Sequence, residues 1–278
     1  MIKLYFIFYI LRIQNLFIAG TAVLISCYLL NEPIDYLVLP CIFVVIATMN
    51  LGNIMNDFLD IKTDIINNPN KVLLNNIIKK EIIIICFISG VILFLCSLNF
   101  NQTANVLLFF FIIPCLVLYN FYFKKKPLIG NIVVAALLGS VFLFTESIIT
   151  QTITRLYIPF FLAFGLSLLR EITKDLYDYK GDKTAHMKTL PIAIGIENTN
   201  YLLIGFIIIA IGMFTTPYIY FNYSIQYLYF LTIFIEIPLI YSLFLLIKIP
   251  SKRTYKHIVD MLKLLNMIGL LIIMITKS

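Results

Sequence analysis

Six aspartates, arranged in two groups of three, are the residues of this chain whose type and spacing best suit chemistry. Asp57, Asp60 and Asp64 lie in Asn56-Asp57-Phe58-Leu59-Asp60-Ile61-Lys62-Thr63-Asp64, and Asp175, Asp178 and Asp182 form the second group. In both groups two residues separate the first pair of carboxylates and three separate the second pair, and the groups lie 118 residues apart. On a helix, positions i, i+3 and i+7 fall within about 60° of one another, so each group makes one acidic face. Carboxylates held this close repel and are driven toward their neutral forms unless a cation intervenes. Hard divalent cations reverse that logic, and Mg2+ binds through one or two carboxylates together with substrate phosphates. Two such faces sharing one site would clamp a metal-bound diphosphate. Both groups also follow apolar runs, at helix C-termini whose negative dipole ends favour cations. Acidic decoration of solvated loops does not account for one spacing occurring twice at matching positions.

Other polar residues gather around the two groups. Asn53 and Asn56 are amides near the membrane end of the first, and a buried amide must find a partner, so both are expected to contact a ligand. Arg170 and Lys174 precede the second group by a turn or two and are placed to pair with its carboxylates or with phosphate.

The elements that position these residues follow from composition. Of 278 residues 61% are hydrophobic and only 13% charged, against about 25% charged in soluble domains. Nine apolar runs are expected to span a bilayer: Ile13–Leu30, Tyr36–Met55, Ile82–Leu98, Val106–Tyr122, Leu128–Phe144, Leu156–Leu169, Tyr201–Tyr218, Ile225–Ile247 and Ile258–Ile275. Backbone groups have no water to pair with inside lipid, so each run is expected to be helical and the fold all-α. At about 20 residues per span the chain makes one polytopic membrane domain, residues 1–278. Four crossings separate the two acidic groups, which returns both to the same side. This suggests two four-helix pseudo-repeats with a site at their interface.

Eighteen of the 21 Lys and Arg fall at the N-terminus or in the loops after spans two, four, six and eight. They run from Lys3 and Arg12 through Lys124, Lys125 and Lys126 to Lys256, whereas only Arg155 and Lys277 fall on the other side and Lys263 lies within span nine. The positive-inside rule then places the N-terminus and both acidic groups on the cytoplasmic side of an inner membrane. This bias explains most of the +7 net charge without a nucleic-acid partner, and no obligate protein partner is implied. Cys27, Cys41, Cys86, Cys96 and Cys115 lie inside apolar runs and read as small core residues. Glu146, Glu236 and Asp260 sit near span ends or within apolar runs, where an ionisable side chain is a functional candidate by default.

Asn56-Asp57-x-x-Asp60-x-x-x-Asp64 resembles the first signature of the UbiA-type membrane prenyltransferase superfamily. Asp175-x-x-Asp178-x-x-x-Asp182, followed by Thr189-Leu190-Pro191, resembles the second. The resemblance covers essentially the whole chain. It implies Mg2+-dependent transfer of a prenyl group from an allylic diphosphate to a lipophilic acceptor, with the six aspartates as metal ligands and Asp60 and Asp178 essential to catalysis. By the same resemblance, Tyr119 and Lys124 match the family's tyrosine-to-lysine loop and contact the diphosphate. Arg12 and Asn15 match the polar pair that opens span one and touch the acceptor. Ile66-Asn67-Asn68-Pro69-Asn70-Lys71 and the run Arg170-Glu171-Ile172-x-Lys174-Asp175 are similar to the branch that geranylgeranylates geranylgeranylglyceryl phosphate. This chain departs from that branch at Val72-Leu73-Leu74-Asn75-Asn76, where a Pro/Ser/Gly turn is usual, and at His186, where glycine is common. Prenylation of an aromatic acceptor is the alternative within the superfamily. A cation-coupled transporter is the rival from another class, and it would place isolated acids near the bilayer midplane.

Overall fold

The computed structural model describes residues 11–33, 35–61, 64–65 and 79–276. Among them the ordered elements are helices: α1 (Ile13–Leu30), α2 (Val38–Leu59), α3 (Lys79–Ser97), α4 (Gln102–Phe121), α5 (Ile129–Thr150), α6 (Tyr157–Thr184), α7 (Ile196–Tyr220), α8 (Ile225–Lys248) and α9 (Lys252–Ile275). A short helix, Leu190–Ile194, precedes α7. Eight of these helices are long and apolar enough to cross a membrane. The exception is α6: its apolar part ends at Leu169, and Arg170, Glu171 and Lys174 follow without a break in the helix. The charged segment from Asp175 onward, expected as a connector, is therefore helical to Thr184 and carries all three aspartates of the second group.

Polar residues at the helix ends account for where several elements start and stop. Asn31 closes α1 in the left-handed conformation, with its N–H bonded to the carbonyls of Cys27 and Tyr28, a role Asn tolerates better than most residues. Asn101 opens α4: its Oδ1 accepts from the Ala104 N–H at 2.9 Å, and its Nδ2 donates to the carbonyls of Ser147 and Ile148 at 2.7 and 3.0 Å. One side chain thus satisfies the exposed ends of two helices. Ser224 and Ser251 cap α8 and α9 by accepting from Tyr227 and Thr254.

Two helices carry a wide π-type turn, at Leu107–Ile112 in α4 and Thr232–Glu236 in α8. Each is followed by Ile-Pro, Ile113-Pro114 and Ile237-Pro238. Proline has no N–H and its ring clashes with the carbonyl four residues earlier, so the hydrogen-bond ladder widens in the preceding turn.

The chain divides into two compact units, Met1–Tyr122 with Val141–Arg155, and Phe123–Ser140 with Leu156–Ser278, the division passing through α5. In the first unit Val23 and Cys27 of α1, Cys41 and Val44 of α2, Leu108 of α4 and Phe144 of α5 pack into one buried core. Helices approach closely where a side chain is missing, as expected where dispersion and not water exclusion drives packing. A Cβ on Gly52 of α2 would stand 2.8 Å from Leu116 Cδ1 of α4. In the second unit, a Cβ on Gly165 of α6 would stand 2.9 Å from both Met213 Cε and Phe214 Cε1 of α7.

Candidate active site

The first acidic group straddles the end of α2. Asp57 is inside the helix and only 2% exposed, whereas Asp60 is the residue that closes it, with its N–H bonded to the Asn56 carbonyl at 2.9 Å. Asp64, also buried, continues the helical pattern by donating its N–H to the Asp60 carbonyl at 2.8 Å. A buried carboxylate needs a counter-charge or donors, and Arg12 supplies both. Its Nη2 lies 2.9 Å from Asp57 Oδ1, and its Nη1 donates to Asn53 Oδ1 at 3.1 Å. Arg12 stands just before α1 with a left-handed backbone, φ 53°, a conformation that costs a branched or long side chain energy and occurs where the surroundings hold it in place. The guanidinium fork fixes Asp57 and Asn53 together, which a point-charge lysine would not do. Asn53 Nδ2 is buried and has no acceptor among the described residues.

Of the other residues proposed here from sequence, Asn15 is half-buried one turn beyond Arg12. Its backbone N–H bonds to the Arg12 carbonyl at 2.7 Å, and no side-chain bond joins it to the cluster among the described residues. Tyr119 is half-buried in α4, next to Asn120, whose amide donates to the Leu116 carbonyl and is almost fully buried. The Asn67-Asn68-Pro69-Asn70-Lys71 motif lies outside the described residues, as do Lys3, Lys62, Lys277 and the Val72–Asn76 departure.

The second group rides on the charged half of α6. Asp175 Oδ2 accepts from Asn131 Nδ2 of α5 at 2.9 Å, and Asn131 is itself only 7% exposed. Asp182 is buried, and Arg170 pairs with the neighbouring Glu171 at 3.4 Å. Loss of water pushes Asp175 up to about 7, with Asp182 and Glu171 adding repulsion; Asn131 and Lys174 oppose the shift. Burial likewise raises Asp182 to about 6, helped by Asp178 and opposed by Lys174 and, from the loop before α5, by Lys124. Lys124 and Lys174 therefore act on the same carboxylate. Tyr177 on the same helix receives the Lys252 ammonium over its ring at 4.8 Å. His186, just past α6, adopts φ 55°, the conformation for which glycine is the usual choice.

Asn131 was not among the residues singled out from sequence, and its only signal was an amide entering an apolar run after Gly130. Glu146, flagged as an acid at membrane depth, proves to be a structural cap. Fully buried in α5, it accepts from the backbone N–H groups of Thr154 and Arg155 at 2.7 Å each and from the Thr152 hydroxyl at 3.4 Å. Glu236 is buried at the end of the α8 π-turn, where Thr232 donates to its Oε2 at 3.1 Å.

Among the described residues, no three acidic, histidine or cysteine side chains converge tightly enough to hold a metal ion alone. Mg2+ usually takes one or two carboxylates and completes its shell with water and phosphate, so it does not require such a cluster. The orphaned donor at Asn53 complements it, since a buried N–H beside a carboxylate cluster suits an anionic oxygen. Membrane-length helices and two acidic groups with adjacent amide and lysine donors mark a membrane protein with a polar site at its helix ends, and the chain belongs to the UbiA prenyltransferase family, which matches residues 15–266. It is similar to the digeranylgeranylglyceryl phosphate synthases of Methanobrevibacter smithii, at 30% identity over 89% of both chains, and of Methanocaldococcus jannaschii, at 33% over 94% of this chain and 92% of that one. A solved structure bearing on digeranylgeranylglyceryl phosphate synthase in membranes matches with TM-score 0.75 and 31% identity, over 100% of this chain and 99% of the other. A UbiA homolog from Archaeoglobus fulgidus, bound to GPP and Mg2+, shares the fold at TM-score 0.63 and 15% identity, over 96% and 98% of the two chains.

Proposed function

We propose that this integral membrane prenyltransferase transfers a geranylgeranyl group from its allylic diphosphate to the hydroxyl of geranylgeranylglyceryl phosphate, in a Mg2+-dependent reaction. The observation that carries the reading is the pair of donor-held aspartates, the buried Asp57 and the half-buried Asp175, each opening an identically spaced acidic triad. The choice of acceptor rests on the relatives named digeranylgeranylglyceryl phosphate synthase, which match along nearly the whole chain.

In this reading Asp57, Asp60 and Asp64, with Asp175, Asp178 and Asp182, hold the metal-bound diphosphate, and Asp60 and Asp178 are essential. Mg2+ supplies Lewis acidity and charge neutralisation to the leaving diphosphate. Asn53 donates its buried Nδ2–H to a diphosphate oxygen, while Asn56, Tyr119, Lys124, Arg170 and Lys174 complete the donor set. The bond from the allylic carbon to the diphosphate breaks, the acceptor hydroxyl oxygen forms the new ether bond to that carbon, and its proton leaves with solvent or diphosphate. Arg12 and Asn15 are assigned to the acceptor side by their match to the polar pair that opens span one, with the Arg12 fork itself held by Asp57 and Asn53.

The apolar half of α6 is read as a ninth crossing, and residues 1–278 as one membrane prenyltransferase domain. Two four-helix repeats are supported by paired features: the aspartate triads lie 118 residues apart, and a π-turn followed by Ile-Pro occurs in α4 and again in α8. The lysine and arginine distribution supports a cytoplasmic location for the N-terminus and both triads. The test is incubation of the purified protein in lipid nanodiscs with labelled geranylgeranyl diphosphate, Mg2+ or EDTA, and a panel of acceptors. The expected result is Mg2+-dependent labelling of the glycerophosphate acceptor and none of an aromatic acid. Labelling of the aromatic acceptor instead would overturn the assignment.

A further inference from the structure

The first aspartate of each triad is held from outside its own helix, and the two holders occupy corresponding places in the chain. Arg12, at the start of α1, holds Asp57 Oδ1 at 2.9 Å, and Asn131, near the start of α5, holds Asp175 Oδ2 at 2.9 Å. The holders are 119 residues apart and the aspartates 118, so one role recurs at one place in each half with different chemistry. We propose that Asn131 is the positioning residue of the second triad: its amide fixes one oxygen of Asp175 and leaves Oδ1 to bind the metal-diphosphate. The proposal rests on the functional reading above.

Three observations support it. Asn131 is 7% exposed, so its side chain is set by packing and not by solvent. Its place is rigid, because a Cβ on the preceding Gly130 would stand 2.8 Å from the Phe123 carbonyl oxygen and 3.2 Å from Lys124 Cα. The start of α5 is thereby pressed against the backbone of the lysine loop, fixing Asn131 and Lys124 in one local frame. Finally, Asp175 shares its helix with Glu171 and Asp182, whose repulsion would turn an unheld carboxylate away. A neutral amide counters that torque without adding a positive charge to compete with a divalent ion, as a guanidinium at this place would. Side chains that orient a metal-binding carboxylate in this way typically govern metal affinity by 10- to 100-fold.

The test measures metal binding apart from turnover. Detergent-purified protein with inorganic pyrophosphate is titrated with Mn2+, and free ion is followed by its electron paramagnetic resonance signal. Prenyl transfer is then measured against Mg2+ concentration. Asn131→Leu, similar in size but without a donor, is expected to weaken Mn2+ binding about tenfold and to raise half-saturating Mg2+ by a similar factor. At saturating Mg2+ its kcat should stay within about threefold of wild type. Asn131→His, whose Nδ1–H can replace the amide donor, should restore Mn2+ affinity to within about threefold. If Asn131→Leu does not fold, Asn131→Ser, too short to reach Asp175, is read in the same way. Unchanged Mn2+ affinity in the folded donor-less variant, or a loss of kcat without a shift in Mg2+ dependence, overturns the positioning role while leaving the functional reading intact. A wild-type protein that binds no Mn2+ with pyrophosphate overturns both.

Discussion

Lowering pH should weaken Mg2+ binding to this protein well above the range where ordinary carboxylates titrate. Burial holds Asp175 near 7 and Asp182 near 6, so protons and divalent ions compete for both between pH 8 and 6. At pH 8 nearly all of both groups are ionised; at pH 6 roughly a tenth of Asp175 and half of Asp182 are. The product of those fractions falls about 20-fold, and half-saturating Mg2+ should rise by that factor, whereas two carboxylates at ordinary values would leave it unchanged. The sign of the stability effect follows from the same shifts. Both groups are raised above their unfolded values, so the folded, metal-free protein binds more protons than the unfolded chain between about pH 4 and 7. Metal-free stability should therefore fall as pH rises through that window, and bound Mg2+ should reverse the loss. The assay is initial-rate transfer against Mg2+ at pH 6, 7 and 8, with Mg2+–diphosphate association in solution measured at each pH and subtracted. A half-saturation constant that stays flat from pH 8 to 6 would refute the argument that these carboxylates are desolvated and bind the metal.

Three further outcomes are expected. Glu146→Ala should lower stability without changing the Mg2+ dependence of transfer, because the backbone N–H groups of Thr154 and Arg155 lose their acceptor, at about 0.5–1.5 kcal/mol each; thermal melting in detergent reads it. Arg12→Lys keeps the charge but cannot bridge Asp57 and Asn53 together, and kcat/KM should fall about tenfold; wild-type kinetics in that variant would show that the fork is dispensable. His186→Gly relieves a left-handed backbone that costs a non-glycine residue about 1–2 kcal/mol, partly offset by the chain entropy of glycine, so the melting temperature should rise slightly with activity unchanged.

Much of this architecture is legible in the amino-acid sequence because membrane insertion leaves a coarse record. Apolar runs report the eight membrane-length helices found among the described residues, lysine placement is the basis of the proposed sidedness, and carboxylate spacing marks the two acidic groups. Features decided by tertiary contact leave less. Hydropathy registers Asn131 only as a boundary residue, because its meaning comes from Asp175, 44 residues away. Glu146 has the composition of a functional intramembrane acid, and only the turn at Gln151, with φ 60°, brings Thr154 and Arg155 back to cap it. The i, i+3, i+7 spacing suits a helix through the second triad, but the charges from Asp175 onward also read as a connector, so how far α6 runs is not legible from sequence. Here those charges lie along a helix whose buried residues continue through Ile172, Thr173 and Leu176 to Gly181. The π-turns are signalled only by Ile-Pro inside an apolar run, and that pair also suits an ordinary kink.

The most direct test of the paired-triad account is transfer of labelled geranylgeranyl from its diphosphate to geranylgeranylglyceryl phosphate by purified wild-type, Asp60→Ala and Asp178→Ala proteins, with and without Mg2+. The account predicts Mg2+-dependent transfer by wild type and loss of transfer in both variants, each still folded in the membrane. Near-wild-type turnover in either variant would contradict it.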